Sequence, residues 1–402
     1  MPEDPIPIVD GHTHITNRVY WEKIDPWKPQ AFGFDYARAY DVGVRVVIEN
    51  ISPYGYNNFN YTPKQVLRLI ETFHRVLEQH SDRIGIVLRA GDARKIVAAG
   101  KMAVVLSVES GFDHEGDLDV LRSLFRLGLR GVQFATQTCC NAFADSSIGG
   151  PGVWSGINSR GHELVELMNE LGILIDVTHA SEEAQVQVIA ASDAPVVASH
   201  VAMEAVSGDG TPGELMSDAV LRALSKKGGM VGIIGVSTSL SKRYRDWARA
   251  NPSKLRGGPA ALQKMVAFDS PLIPRALMHG EYGAWLDSEM LGVHLATFAP
   301  WQDPPESAEV IPTTDDWASH VAHVLRTVGP KHVGIGLDMG GPRSFVPKDA
   351  TGYPDLITAL RRITDEKNLR LIAGENWLRV LDQVLPGAAR VERSVSPNLA
   401  AD

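Results

Sequence analysis

Short apolar runs alternate along the chain with segments in which apolar residues recur at helical spacing. The runs are rich in β-branched residues and predict buried strands over 6–9, 44–48, 102–108, 131–135, 173–177, 195–198, 230–236 and 332–337. The segments between them predict helices over 62–80, 118–127, 158–171, 181–191, 217–226, 314–328, 354–367 and 375–384. This alternation indicates parallel strands joined by crossover helices, and eight such units predict a closed (β/α)8 TIM-like barrel. A doubly wound open sheet is the alternative, but no Gly-x-Gly-x-x-Gly turn follows the first strand.

The alternation stops over residues 237–313, which contain prolines and tryptophans. We interpret this stretch as a long insertion in one βα loop, acting as a lid or as a contact for a homo-oligomer. The sequence therefore predicts one barrel domain over residues 1–386 and a loose tail over 387–402.

Composition narrows the class of partner. The formal net charge is −9 and no block of Lys and Arg occurs, so the chain does not indicate binding to nucleic acid or to an anionic membrane. The cysteines, Cys139 and Cys140, are adjacent, so no disulfide framework is expected and a cytoplasmic location is predicted. Neither a signal peptide nor a membrane span is predicted, because no long uncharged apolar stretch occurs.

Acidic and imidazole side chains follow several of the predicted strands. These residues are His12, His14, Glu109, His179, His200 and Asp338. The carboxyl ends of barrel strands converge on one face, where barrel enzymes build their active sites. Six residues of these types suit two metal ions bridged by a carboxylate. A small molecule is the substrate class that such a site indicates.

Each candidate also has a purely structural interpretation. The His12-Thr13-His14 tripeptide places two imidazoles on one face of an extended chain, yet alone it would indicate a His-rich turn. Glu109 and Asp338 could cap the helices that follow them, and His179 and His200 could be core histidines. His179 and His200 occupy the same position at the ends of two successive predicted strands, and this repetition favours a metal site. The remaining histidines lack such partners and are predicted to be structural.

Several stretches, in order, carry a resemblance to a known family. They are Val9-Asp10-Gly11-His12, Val108-Glu109-Ser110-Gly111, Ala135-Thr136 through Asn141, Ala144-Asp145-Ser146, Asp176-Val177-Thr178-His179, Ala198-Ser199-His200, Gly228-Gly229-Met230-Val231, residues 333–338 and residues 374–380. Together they resemble the membrane (renal-type) dipeptidase family of the amidohydrolase superfamily.

The resemblance implies a hydrolase with two zinc ions. His12 and His14 would bind the first ion, His179 and His200 the second, and Glu109 would bridge them. Asp338 would contact the water and move its proton, so that a metal-bridged hydroxide cleaves the amide bond of a dipeptide.

Three departures from the family pattern bear on the substrate. The family usually has an aspartate where this chain has His14, and a histidine where this chain has Gln137. Gln137 is nevertheless a candidate catalytic residue, because its amide can donate a hydrogen bond to a developing oxyanion. The family's substrate-binding arginine has no match in residues 207–213.

These departures leave two alternatives to a dipeptidase. One is a divergent amidohydrolase for another small amide, lactone or ester. The other is a non-catalytic metal-binding subunit that uses the insertion as a contact, which Asp338 argues against because such a protein needs no proton carrier.

Overall fold

The computed structural model describes residues 7–53, 61–113, 115–135, 141–147, 152–208, 213–251, 291, 294, 309–339 and 344–387. Gln137, Cys139, Cys140, most of the predicted insertion and nearly all of the predicted tail lie outside these residues. The predicted domain organisation, which depends on those residues, therefore stays a prediction. The cytoplasmic location also stays a prediction.

Ten parallel strands form the sheet. They are β1 (Ile8–Thr13), β2 (Val44–Ile51), β3 (Ile84–Ile86), β4 (Met102–Val108), β5 (Leu129–Gln133), β6 (Leu174–Asp176), β7 (Val197–Met203), β8 (Leu215–Met216), β9 (Met230–Ile233) and β10 (Val333–Ile335). Eight of them close a ring in the order β1-β2-β4-β5-β6-β7-β9-β10, and β10 pairs with β1. The predicted (β/α)8 barrel is confirmed. The sequence missed β3 and β8, which pair with the first residues of β4 and the last residues of β7.

Helices surround this ring. They cover Ile15–Glu22, Tyr36–Asp41, Tyr61–Gln79, Asp92–Ala98, Leu118–Arg126, Ser159–Leu171, Glu182–Ala191, Glu204–Ser207, Asp218–Lys226, Ser237–Leu240, Lys242–Ala250, Thr314–Thr327, Tyr353–Ile363, Glu366–Arg370 and Asn376–Val384. Short 3₁₀ turns cover Pro330–His332 and Ala350–Gly352, and a π-helical turn covers Leu371–Glu375. Within the described ranges, no helix is both long and apolar enough to cross a lipid bilayer.

The first loop contains a helix that the sequence did not predict. Ile15–Glu22 lies between the first two predicted strands, a stretch for which the sequence predicted no helix. The backbone N–H of Thr16 donates to the Glu49 carboxylate at 2.6 Å, so an acid from β2 binds a free amide of the first turn. A capping partner 33 residues away leaves no local signal in the sequence.

Two strands extend further than their sequences predicted. β1 was expected to end before Asp10 but continues to Thr13, and β7 continues past His200 to Met203. Both strands have register shifts, between Asp10 and Thr13 and between Ala198 and Val201. Such irregularities let a strand redirect side chains without ending.

An apolar cluster fills part of the barrel interior. It contains Val9, Val46, Val105, Leu174, Val197 and Met230, one from each of six strands, and Trp377 from the last helix. Trp377 is fully buried and its indole N–H donates to the carbonyl of Ile335 at 2.8 Å. Gly11 makes room for it, since a Cβ there would lie 2.0 Å from Trp377 Cζ2. We call this group the interior apolar cluster.

Candidate active site

The barrel brings the six predicted residues together at the carboxyl ends of its strands. They are His12, His14, Glu109, His179, His200 and Asp338, which we call the ligand ring. Alternation along β4 shows how one strand reaches it, because Val105, Ser107 and Glu109 share a face that runs from the interior apolar cluster to the ring. Five members are buried, and Asp338 is the most open, with a side chain 13% exposed.

The four imidazoles form two pairs. Nε2 of His12 lies 2.9 Å from Nε2 of His14, and Nε2 of His200 lies 3.1 Å from Nε2 of His179. The two pairs are adjacent, since the His12 and His200 ring centroids are 3.8 Å apart. Each pair therefore directs two Nε2 atoms into a common space.

Glu109 lies between the two pairs. Its Oε2 is 3.2 Å from His14 Nε2, while its Oε1 is 3.4 Å from His179 Nε2 and 3.6 Å from His200 Nε2. Oε1 also lies 3.9 Å from Nε2 of His12, so Oε2 faces His14 of the first pair while Oε1 faces the second pair more closely than the first. A carboxylate with one oxygen towards each pair is the arrangement a bridging ligand requires.

Asp338 occupies the open side of the first pair. Its Oδ1 lies 3.2 Å from His14 Nε2 and 3.8 Å from His12 Nε2. Its backbone N–H donates to the carbonyl of His12 at 3.1 Å, which ties the end of β10 to β1. A carboxylate at the rim can reach both the ring and an incoming molecule.

Left-handed backbone conformations occur beside the ring. His179, Asp338 and Ser110 have φ values of 67°, 56° and 64°. Residues with a Cβ adopt this region at a cost, and such strain concentrates at functional sites. Each of these residues turns the chain sharply after its strand, which the sequence did not predict.

The carboxylates and imidazoles shift one another's protonation. Burial lowers the pKa of His12 well below its usual value, and the neighbouring His200 and His14 lower it further. Burial also opposes protonation of His14, but Glu109 and Asp338 outweigh it and raise its pKa well above the usual value. For Glu109, burial acts to raise the pKa, yet His14 and His179 hold it well below the usual value. The ring is therefore a concentrated set of negative oxygens and imidazole nitrogens.

Buried polar groups behind the ring orient it. His14 Nδ1 lies 2.6 Å from the carbonyl of Asn50, an acceptor, so that nitrogen carries a hydrogen. The Asp10 carboxylate accepts from the backbone N–H groups of His12 and Leu337 and from the Tyr353 hydroxyl. None of these groups was predicted from the sequence, although Asp10 lies inside the Val9-Asp10-Gly11-His12 motif.

The donor set fits a metal ion. Ligands about 2.0–2.1 Å from a tetrahedral zinc ion lie about 3.3 Å from one another, and the nitrogen–nitrogen and nitrogen–oxygen separations of the ring cluster around that distance. In two groups of three, the atoms that could bind an ion all lie within 4.8 Å of one another. These groups are His12, Glu109 and His200, and His12, His14 and Asp338. His12 belongs to both groups because its imidazole contacts His14 of its own pair and His200 of the other pair.

The other described histidines lie outside the ring, as expected. His320 is buried between the N–H of Met203 and the carbonyl of Leu240. His332 precedes β10 and contacts the carbonyl of Gly229, and His294 pairs with Glu22. Each has a structural partner far from the ligand ring.

Known proteins resemble this chain in sequence and in fold. A dipeptidase of Claviceps purpurea, tcpJ, is 26% identical over 398 residues, spanning 94% of this chain and 77% of that protein. Among solved structures, the probable dipeptidase PvdM of Pseudomonas aeruginosa has a TM-score of 0.69 at 21% identity, covering 94% of this chain and 96% of that one. A metallopeptidase of Rhodobacter sphaeroides, solved with a phosphinate mimic of L-Ala-D-Ala, has a TM-score of 0.69 at 19% identity, covering 95% and 100%.

A family model covers almost the whole sequence. The model for membrane dipeptidase (peptidase family M19) matches residues 3–394. The solved structures are too distant in sequence to indicate more than the shared fold. The family match shows that this chain is a metal-dependent hydrolase of the dipeptidase type and belongs to the membrane dipeptidase family.

Proposed function

We propose that this chain is a zinc-dependent dipeptidase with two metal ions held by the ligand ring. The observation that carries the proposal is the position of Glu109, whose two oxygens face two separate imidazole pairs. His12 and His14 would hold one ion, His179 and His200 the other, and Glu109 would bridge them. Imidazole and carboxylate are ligands that zinc prefers.

The metal ions, when bound, would lower the pKa of a coordinated water and polarise the scissile carbonyl. Asp338 is the residue best placed to take the proton from that water and to deliver it to the leaving amine. It is the most exposed member of the ring, so a substrate can reach it. The hydrogen bond from its backbone N–H to the carbonyl of His12 positions the carboxylate relative to the first imidazole pair.

His14 favours a second candidate function. An imidazole at this position leaves the site with one negative charge fewer than an aspartate would, so a divergent hydrolase for another small amide, lactone or ester fits the same ring. Gln137 remains a proposed donor to the oxyanion in either case. A substrate without a free carboxylate would also agree with the missing arginine.

A substrate panel separates the two candidates. The purified chain, loaded with zinc, is assayed on L,L- and L,D-dipeptides, on N-acyl amino acids and on small lactones and esters. We expect two zinc ions per chain by elemental analysis, and dipeptide hydrolysis that a chelator abolishes and added zinc restores. Activity confined to lactones or esters would favour the second candidate. Full activity after complete metal removal would contradict both.

A further inference from the structure

One hydroxyl in the barrel interior contacts both imidazole pairs. Ser199 Oγ lies 2.8 Å from Nδ1 of His12 and 2.9 Å from Nδ1 of His200. It also hydrogen-bonds to Oδ2 of Asp176. His12 and His200 belong to different pairs, so Ser199 is a direct link between the two halves of the ring.

The donors and acceptors of this cluster fix where the hydrogens are. A serine hydroxyl has one hydrogen and two lone pairs. An ionised carboxylate only accepts, so the hydrogen goes to Asp176 and the two lone pairs face the imidazoles. Both Nδ1 atoms must then carry hydrogens, which leaves Nε2 of His12 and Nε2 of His200 as bare lone pairs directed into the ring.

The far oxygen of Asp176 is held as an acceptor. Its Oδ1 accepts from the Thr178 N–H at 3.0 Å, from the Thr178 hydroxyl at 2.7 Å and from the Ser199 N–H at 3.0 Å. With three donors on Oδ1, the carboxylate cannot rotate without losing them. Oδ2 therefore stays directed at the Ser199 hydroxyl.

The surrounding backbone is shaped to hold Ser199 inside the barrel. Ser199 lies within the register shift of β7 and is only 3% exposed. Its carbonyl oxygen packs against Gly232 and Gly336, where an added Cβ would lie 2.0 and 1.8 Å away. Any side chain on those neighbouring strand positions would push the serine out, so both glycines serve its placement.

We propose that Ser199 is a positioning residue that sets the ligating tautomer of one histidine in each metal pair at once, with Asp176 directing its hydroxyl. This rests on the proposed two-metal function. Groups behind metal-ligating histidines fix ring tautomer and orientation, and losing them typically weakens metal binding about 10–100-fold. Here a single hydroxyl would couple the two sites.

The first test needs no metal, and it uses variants only to assign signals. Long-range ¹H–¹⁵N spectra of the metal-free protein, labelled with ¹⁵N at histidine, report which ring nitrogen carries the hydrogen. The His12 and His200 signals are assigned with His12→Gln and His200→Gln. We expect Nδ1–H for both rings at a pH above the usual imidazole pKa, and Nε2–H on either ring would overturn the proposal.

The second test compares zinc affinities in two variants by chelator competition. Ser199→Ala removes the shared acceptor, so both zinc affinities should fall about 10–100-fold. In Asp176→Asn, the three donors keep the amide oxygen at the Oδ1 position, so the amide nitrogen donates to Ser199. The hydroxyl hydrogen must then go to one imidazole, and we expect only one of the two zinc sites to weaken.

Ser192→Ala is the matched control. It removes the hydroxyl of another buried serine, whose partners are Asn169 and the carbonyl of Ala194 rather than Asp176 or an imidazole, so both affinities should stay at wild-type values. Wild-type affinities in Ser199→Ala would contradict the proposal. A wild-type chain that binds no zinc would contradict the proposed function instead, while its histidine tautomers would still decide the role of Ser199.

Discussion

The interior of the barrel contains two regions that the same strands build in opposite ways. The interior apolar cluster consists of aliphatic side chains around Trp377. The indole N–H of Trp377 donates a hydrogen bond to the carbonyl of Ile335. The ligand ring a few residues further along the strands is made of imidazoles and carboxylates. It is strained in the backbone as well, since His179 and Asp338 have positive φ.

This difference shows that the apolar cluster stabilises the fold, whereas the ligand ring costs free energy. Burying aliphatic and aromatic side chains stabilises the barrel, whereas burying several ionisable groups together costs free energy unless each finds a partner. Glu109 in the ring directly follows β4, four positions after Val105 in the cluster. The rigid apolar region thus supports a polar one that could not fold alone.

Asp338→Asn is the change with the largest expected effect on the ring side of this comparison. The amide keeps the shape of the side chain but cannot accept and return a proton. We expect kcat to fall about 10²–10⁴-fold, up to about 5 kcal/mol in the barrier, with zinc content unchanged. Turnover near that of the wild type in a zinc-loaded sample would remove Asp338 from the mechanism.

Trp377→Ala tests the apolar side. Removing a fully buried tryptophan should lower the free energy of unfolding by about 3–5 kcal/mol, measured by urea denaturation of the metal-free chain. Gly11→Ala supplies a matched comparison, because its new Cβ would overlap Trp377. It should destabilise the wild type but have a much smaller effect in the Trp377→Ala background, and additive effects would show that the two residues do not share this space.

His320 sharpens the comparison, because it is a buried imidazole whose two nitrogens contact backbone groups of Met203 and Leu240 rather than a carboxylate. Burial lowers its pKa to about 4. Between pH 6.5 and 4 the unfolded chain gains a proton there that the folded chain does not, so stability falls as the pH drops through this window. The loss should reach about 3 kcal/mol.

Urea denaturation of the metal-free chain at several pH values measures that slope. His320→Gln cannot take up a proton, so it should unfold more easily at pH 7 but lose less stability between pH 6.5 and 4. Equal slopes in the two proteins would show that His320 does not contribute to the acid sensitivity.

Tyr353→Phe should give the smallest effect. It removes the hydroxyl that donates to Asp10 and leaves the two backbone donors from His12 and Leu337 in place. We expect a loss of about 1–2 kcal/mol in the free energy of unfolding. A loss as large as that of Trp377→Ala would mean that the two backbone hydrogen bonds cannot hold the Asp10 carboxylate in place without the phenol.

Much of the barrel could be predicted because its signals are local. The predicted strands around Val104 and Ile175 are apolar runs, and helices such as Leu118–Arg126 follow from apolar spacing and a capping Asp117. The two-residue strand β8 and the helix Ile15–Glu22 were missed, because pairing with β7 and capping by Glu49 come from distant parts of the chain.

The sequence by itself determined that six imidazole and carboxylate side chains follow buried strands, since strand periodicity and the convergence of parallel strands are properties of short segments. Only the tertiary structure decided which oxygen of Glu109 faces which imidazole pair. It also decided that Ser199, rather than any residue chosen from the sequence, contacts both pairs. The physical reason is that a register shift in β7, Gly232 in β9 and Gly336 just after β10 set its position, and no local pattern records their combination.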